Sequence, residues 1–171
     1  MSSDATKGQS CEEHAATGEF HRKLDVFIGE WDAKATFWMS PEQDPMTSDG
    51  GRMVTTWALG GRYLEMRYKS EFMGAPFEGV GYWGFNTASG LYESFWIDTA
   101  GTMMMFDCDG AVSDDGKVFR SSGTVINPQT RQPMRKSVIT TIKSENEHVY
   151  QMFFGEVGHE VKSMEIVYTR A

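Results

Sequence analysis

The sequence predicts an all-β protein, a single up-and-down antiparallel β-barrel of roughly eight to ten strands with an N-terminal α-helix at the barrel end. Two observations carry that prediction. From Trp31 onward no helical period appears and turn signals recur about every ten residues, the spacing of a barrel or a sandwich. Ahead of that point Ala16, Phe20, Leu24, Phe27 and Ile28 share a helical face that stops at Gly29. Closing a row of hairpins removes unpaired strand edges, which favours the barrel; a β-sandwich is the competing arrangement.

In chain order, residues 1–9 are rich in Ser, Asp, Thr and Gly and read as a disordered leader, with residues 10–171 as one domain. Ser10 and Glu13 stand at the spacing of a capping box, where hydroxyl and carboxylate satisfy free amides at a helix start. Gly18 weakens the middle of this helix, so a pair of short helices, the second starting near Thr17, is the alternative. Strands are expected at about 31–39, 52–59, 61–72, 77–86, 91–98, 102–108, 117–126, 134–143, 147–154 and 160–169. The breaks between them are Pro41 to Gly51, Gly60-Gly61, Gly74-Ala-Pro76, Asn86 to Gly90, Gly101, Asp114-Asp115-Gly116, Asn127 to Pro133, Ser144 to Glu147 and Gly155 to His159.

Composition narrows the function classes. Five Trp, six Tyr, eleven Phe and 12 Met make the apolar part bulky, which suits strands and pocket walls. The formal net charge is -8 and no Lys/Arg cluster stands out, which disfavours nucleic acid and anionic membranes as partners. Two cysteines, Cys11 and Cys108, are too few for a disulfide framework and fit a reducing compartment. With no signal-peptide core and no membrane-length apolar run, the expectation is a soluble cytoplasmic protein, monomer or homodimer.

The motif Gly29-Glu30-Trp31 after a short helix resembles the opening of the calycins, the superfamily of lipocalins and fatty-acid-binding proteins. In that superfamily the tryptophan plugs the closed end of the barrel and stacks on an arginine near the last strand; Arg170 matches that position, so Gly29, Trp31 and Arg170 are expected to close the barrel. The whole region from His21 to Arg170 resembles a bacterial family known as domain of unknown function family 1579, assigned to the same superfamily. The residues carrying this resemblance are His21-Arg-Lys-Leu24, Trp57-Ala-Leu-Gly60-Gly61-Arg62, Met73-Gly74-Ala-Pro76-Phe77-Glu78-Gly79, Trp96-Ile97-Asp98 with Gly101-Thr102, Arg135, and Met164-Glu165-Ile166 ahead of Tyr168-Thr169-Arg170. Phe85-Asn86 departs from the Tyr-Asp pair expected there. The resemblance implies the fold and brings no activity with it.

Several motifs imitate chemistry without its context. Gly79-Val-Gly81-Tyr-Trp-Gly84 spells a dinucleotide fingerprint, but it runs into a turn and another strand instead of a helix, so glycines that bend the wall or admit rings such as Trp83 are the better reading. Asp107-Cys-Asp109-Gly110 resembles part of a calcium loop but lacks the later ligands, and reads as a turn. His14, His21, His148 and His159 have no third ligand at a defined spacing. Met103-Met104-Met105 cannot serve one metal, because neighbours on a strand point to opposite faces. No metal or other cofactor is expected, and no hydrolase or zinc-enzyme signature is present.

What remains is a ligand-carrier reading: a non-enzymatic barrel binding a small hydrophobic or amphipathic molecule, with walls from Trp57, Tyr68, Trp83, Trp96, Met103 and Met105 and a polar anchor from Arg135 and Glu165. Alternation alone leaves open which face carries Glu65, Arg135 and Glu165. Asp98 at a strand end either accepts from turn amides or joins the ligand site. The alternatives are an isomerase or lyase using Asp98 or Glu165 as an interior carboxylate, a nitrobindin-like haem barrel with His148 or His159 as axial ligand, and a filled structural barrel.

Overall fold

The computed structural model describes residues 15–40 and 42–171. The leader, the Ser10/Glu13 capping box, Cys11, His14 and Pro41 lie outside the described residues. Ahead of the strands, the described residues form short pieces, as in the alternative that Gly18 suggested, a second short helix starting near Thr17. Helix α1 (Glu19–Arg22) is a single turn, followed by a 3-10 turn at Asp25–Phe27. Gly18 ends the chain's extended approach, and its amide donates to His21 Nδ1 at 3.1 Å. The buried face is His21, Leu24 and Phe27, while Phe20 is partly exposed and stacks on Phe85.

Ten strands follow: β1 (Gly29–Phe37), β2 (Met46–Ala58), β3 (Tyr63–Phe72), β4 (Ala75–Asn86), β5 (Leu91–Asp98), β6 (Met105–Val112), β7 (Val118–Ile126), β8 (Pro133–Ser144), β9 (Glu147–Phe154) and β10 (Val161–Arg170). Each pairs antiparallel with its sequence neighbours, and β1 pairs with β10, so the sheet closes into an up-and-down barrel. The period of two is plain along β1, where buried Trp31, Ala33 and Ala35 alternate with exposed Glu30, Asp32 and Lys34. Two strands, β2 and β6, differ from the sequence expectation by more than two residues. Strand β2 starts earlier, at Met46. Strand β6 runs straight through Asp107-Cys-Asp109-Gly110, which is not a turn: Tyr92 pairs with Gly110 and Ser94 with Asp107, so one extra residue of β6 is absorbed in a bulge.

One end of the barrel is plugged. Leu24 and Phe27 pack on Leu64, Tyr92 and Phe119, with Trp57, Trp83 and Ile142 around them. The barrel also satisfies the polar groups of the short helical segment, which has too few turns to satisfy its own. Tyr92 Oη donates to the Phe20 carbonyl at 2.8 Å, Trp31 Nε1 to the Phe27 carbonyl at 2.9 Å, and Trp57 Nε1 to Asp25 Oδ1 at 2.8 Å. Arg170 lies with its guanidinium 4.2 Å above the Trp31 ring and donates to the carbonyls of Ile28 at 3.0 Å, Val26 at 3.4 Å and Glu145 at 3.0 Å. Gly29 has φ +128, and a Cβ there would stand 2.6 Å from Arg170 Nη1, so a side chain at this position and the arginine clasp are incompatible. Among the described residues, no helix is long and apolar enough to cross a membrane.

Candidate functional site

A cavity of about 620 Å³ occupies the barrel between the plug and the opposite end, where Phe37, Trp38, Met39, Asp98 and Pro128 border it. Its wall is mostly aromatic and Met. Tyr68, Trp83, Trp96 and Met105, expected as wall residues, line it. Trp57 does not, because its indole is committed to the plug through Asp25, and Met103 does not, because it sits exposed in the loop between β5 and β6. Trp96 lies flat on β4: a Cβ on Gly79 would overlap its ring, and one on Gly81 would stand 2.7 Å from Cε3. Gly79 and Gly81 are therefore space for the Trp96 indole and Gly84 for the Tyr63 ring, so the rings admitted are Trp96 and Tyr63 and not Trp83. Trp96 Nε1 donates to Asp98 Oδ2 at 2.9 Å, and Asp98 Oδ1 accepts from the Ala100 amide at 2.9 Å, so Asp98 serves both its turn and the cavity mouth.

The charged residues inside the barrel are other than those expected. Along β8 the inward row is Met134, Lys136, Val138, Thr140 and Ile142, and Arg135 falls on the outer row, 3.7 Å from Glu160. Along β10 the inward row is Met164, Ile166 and Tyr168; Glu165 faces out and accepts from Gln151 at 2.8 Å and Lys162 at 2.9 Å. Those two donors, Lys162 foremost, hold the Glu165 carboxyl below the ordinary carboxylate range, opposite to what a proton-shuttling interior acid needs. Glu65 also faces out, paired with Arg67. The arginine and glutamate expected as an interior anchor thus lie outside the wall by one residue of strand parity.

In their place stands Lys136, 3 % exposed, with Nζ 3.0 Å from Asp107 Oδ1 and donating to Asp107 Oδ2 at 3.1 Å. Ser94 Oγ donates to the same Oδ2 at 3.2 Å, whereas Oδ1 is buried without a directed hydrogen bond. The two strands carrying the pair are separated by β7, and Gly123 is the β7 residue between them: a Cβ there would overlap the Phe106 carbonyl oxygen and stand 2.9 Å from Asp107 Oδ1. Tyr150 neighbours Asp107, its phenol pushed up first by burial and then by that carboxylate, while Tyr68 and Tyr168 line the same cavity and are pushed up mainly by burial. All three stay neutral donors at ordinary pH.

His148 lies on the inner face of β9, 8 % exposed, with Nδ1 buried and without a hydrogen-bond partner among the described residues. Burial, with the Arg170 guanidinium nearby, pushes its pKa down to about 4, so the ring is neutral. It stacks on Tyr168 at 4.7 Å and meets Trp31 edge-on at 4.4 Å and Phe27 at 5.1 Å. Of the two histidines considered as axial ligands, His148 lines the cavity and His159 is exposed on the loop after β9. Among the described residues no cluster of three or more metal-binding side chains occurs. The interior signals that sequence reasoning missed, Lys136 and Asp107, were readable only as polar members of the apolar rows of β8 and β6.

Comparison with known proteins adds the fold's relatives. A family model described as "Protein of unknown function (DUF1579)" matches residues 16–170. No curated protein matches the chain. The crystal structure of Rv2717c from M. tuberculosis is similar at a TM-score of 0.60 and 16% identity, over 91% of this chain and 99% of that one, a likeness of fold. A redesigned beta barrel aligns at a TM-score of 0.46 and 13% identity, over 88% of this chain and 96% of that one.

Proposed function

We propose, for a chain that belongs to the DUF1579 family, that the barrel is a carrier for one small, mostly apolar molecule held by a polar group at Lys136 and Asp107. One observation carries the reading: a cavity of about 620 Å³, in the size range of small-molecule sites, has rings and methionines for walls and a buried ion pair set into them. A solid barrel acting only as a scaffold would bury those rings against one another. The calycin-like character of the fold belongs to this proposal, as does the absence of catalysis: the carboxylate inside the wall is already paired with an ammonium.

Intrinsic tryptophan fluorescence tests it, because Trp83 and Trp96 line the cavity. Titration with a panel of uncharged and amphipathic apolar compounds is expected to give a saturable change and a rise in melting temperature. Met152 also lines the cavity, and Met152→Trp is expected to fill the space and abolish the response while the protein stays folded. Saturable binding that survives in Met152→Trp, or none in the parent protein, overturns the proposal.

A further inference from the structure

We infer that the rim of the barrel's open end docks on a zwitterionic lipid bilayer. This goes beyond the carrier reading and does not need it, since docking requires no cargo. It starts from where the exposed apolar side chains lie. Five connections stand at the open end, 38–45, 73–74, 99–104, 127–132 and 155–160, because alternate turns of an up-and-down barrel share an end. Each carries or adjoins an exposed large apolar residue: Met39, Met73, Met103 with Met104, Ile126 and Val157. Of the four connections at the plugged end, 59–62, 87–90, 113–117 and 145–146, only the first does so, at Leu59 and Tyr63. The apolar side chains therefore encircle the mouth that Trp38, Asp98 and Pro128 border. Keeping such a ring hydrated is unfavourable, and concentrated apolar surface of this kind marks a face that something covers.

The charges beside the ring select the cover. Glu42, Asp44 and Glu156 on these connections, and Glu71 next to 73–74, are exposed and have no ion pair among the described residues. Arg131 is the only Lys or Arg on the same connections, again among the described residues. Such a rim repels anionic lipid, and it repels the same rim on a second copy of the chain. The outermost groups of a zwitterionic bilayer are ammonium groups, which complement carboxylates, while the acyl boundary beneath accepts apolar side chains to a depth of about 5–10 Å. Methionine is unbranched and polarizable, so it adapts to a fluid neighbour. Trp38, with Lys162 Nζ 4.5 Å from its ring, is an amphipathic ring of the sort that settles at headgroup level. A ring running round all five connections is matched by a continuous surface, and only on one side by a single helix or strand laid across the mouth.

Flotation of the full chain with phosphatidylcholine vesicles, and with vesicles of equal parts phosphatidylcholine and phosphatidylglycerol, tests the inference. The neutral vesicles are expected to carry the protein, with a partition coefficient about tenfold or more above that of the anionic ones. Met73→Ser/Met104→Ser/Val157→Ser changes three exposed side chains outside the cavity lining, so the fold is kept, and is expected to lower partition to neutral vesicles about tenfold or more. Leu59→Ser, 71% exposed at the other end against 73% for Met73, is expected to leave it unchanged. No partition of the parent, undiminished partition of the triple variant, an equal loss in Leu59→Ser, or a preference for the anionic vesicles each overturns the inference. A concentration-dependent dimer that the triple variant abolishes, without vesicle binding, overturns it in favour of a second copy. Tight binding of a helical Lys/Leu peptide without vesicle binding overturns it in favour of a cationic protein segment. Vesicle binding by a chain that takes up no apolar compound keeps this inference and removes the carrier reading; uptake without vesicle binding does the reverse.

Discussion

Lys136 and Asp107 meet across an intervening strand, Nζ to Oδ1 at 3.0 Å, because Gly123 between them has no side chain. The pair spans β6 to β8 across the inner side of β7 and is buried there, Lys136 at 3 % and Asp107 at 6 % exposure.

Breaking this pair and replacing it are expected to differ. Lys136→Met alone leaves a buried carboxylate without its cation and should cost about 3–5 kcal/mol in urea denaturation, with Asp107→Asn similar. Removing both, as Lys136→Met/Asp107→Leu, is expected to recover most of that loss, since a well-filled apolar pair often matches a buried ion pair. A double variant as unstable as the singles would show that the pair does more than balance its own charges.

Gly123→Ala is expected to destabilise by about 1–3 kcal/mol, with the loss read as a fall in melting temperature. The added methyl collides with a backbone oxygen, that of Phe106, which no rotamer change can relieve. Stability equal to the parent would mean that β6 and β7 separate easily at this seam.

The histidines set the acid limb of stability. His148 is pushed down to about 4 in the folded protein against an ordinary 6.5, so between these values the unfolded chain holds a proton the folded chain lacks. Its contribution is full above about pH 6.5 and falls toward pH 4 by a total of about 3 kcal/mol. His21 shifts the same way, mainly through burial and then the Arg62 charge. Glu165 and Asp115, both lowered, lose their stabilisation as pH falls through and below their ordinary values of 4.5 and 3.8, at the acid end of that window and beyond it. Urea midpoints between pH 7.5 and 4.5 should slope steeply in the parent and much less in His148→Leu; equal slopes would assign the acid loss elsewhere.

Arg170→Lys is expected to behave nearly as badly as Arg170→Met, each losing about 2 kcal/mol in thermal unfolding. A lysine cannot reproduce a planar fork that stacks on Trp31 while donating to Ile28, Val26 and Glu145. Full rescue by lysine would reduce the clasp to simple charge.

Much of the barrel was legible because period-two alternation and turn chemistry are local signals. Trp31, Ala33 and Ala35 declare their face without help, and so do the breaks at Asn86 to Gly90 and at Asp114-Asp115-Gly116. The interior anchor was harder. On β8 both rows mix polar and apolar residues, Met-Lys-Val-Thr-Ile inward against Arg-Ser-Ile-Thr-Lys outward, so parity has to be set by apolar content summed along the strand and not by the most conspicuous charge. On β6 the bulge resets parity between Asp107 and Gly110, and a run that looks like a turn hides an inward carboxylate. Of the two helix readings, the described residues follow the one broken at Gly18, and Phe20, which satisfies the spacing of the longer one, stacks outside on Phe85.

Because β1 and β10 are antiparallel, with Trp31 opposite Arg170, the N-terminal edge of one and the C-terminal edge of the other lie side by side. Tension applied between residues 15 and 171 therefore loads their rungs one after another, as in opening a zipper, instead of shearing them together. A tube with no free edge is in this direction mechanically soft, and the indole and guanidinium are the first catch to spring.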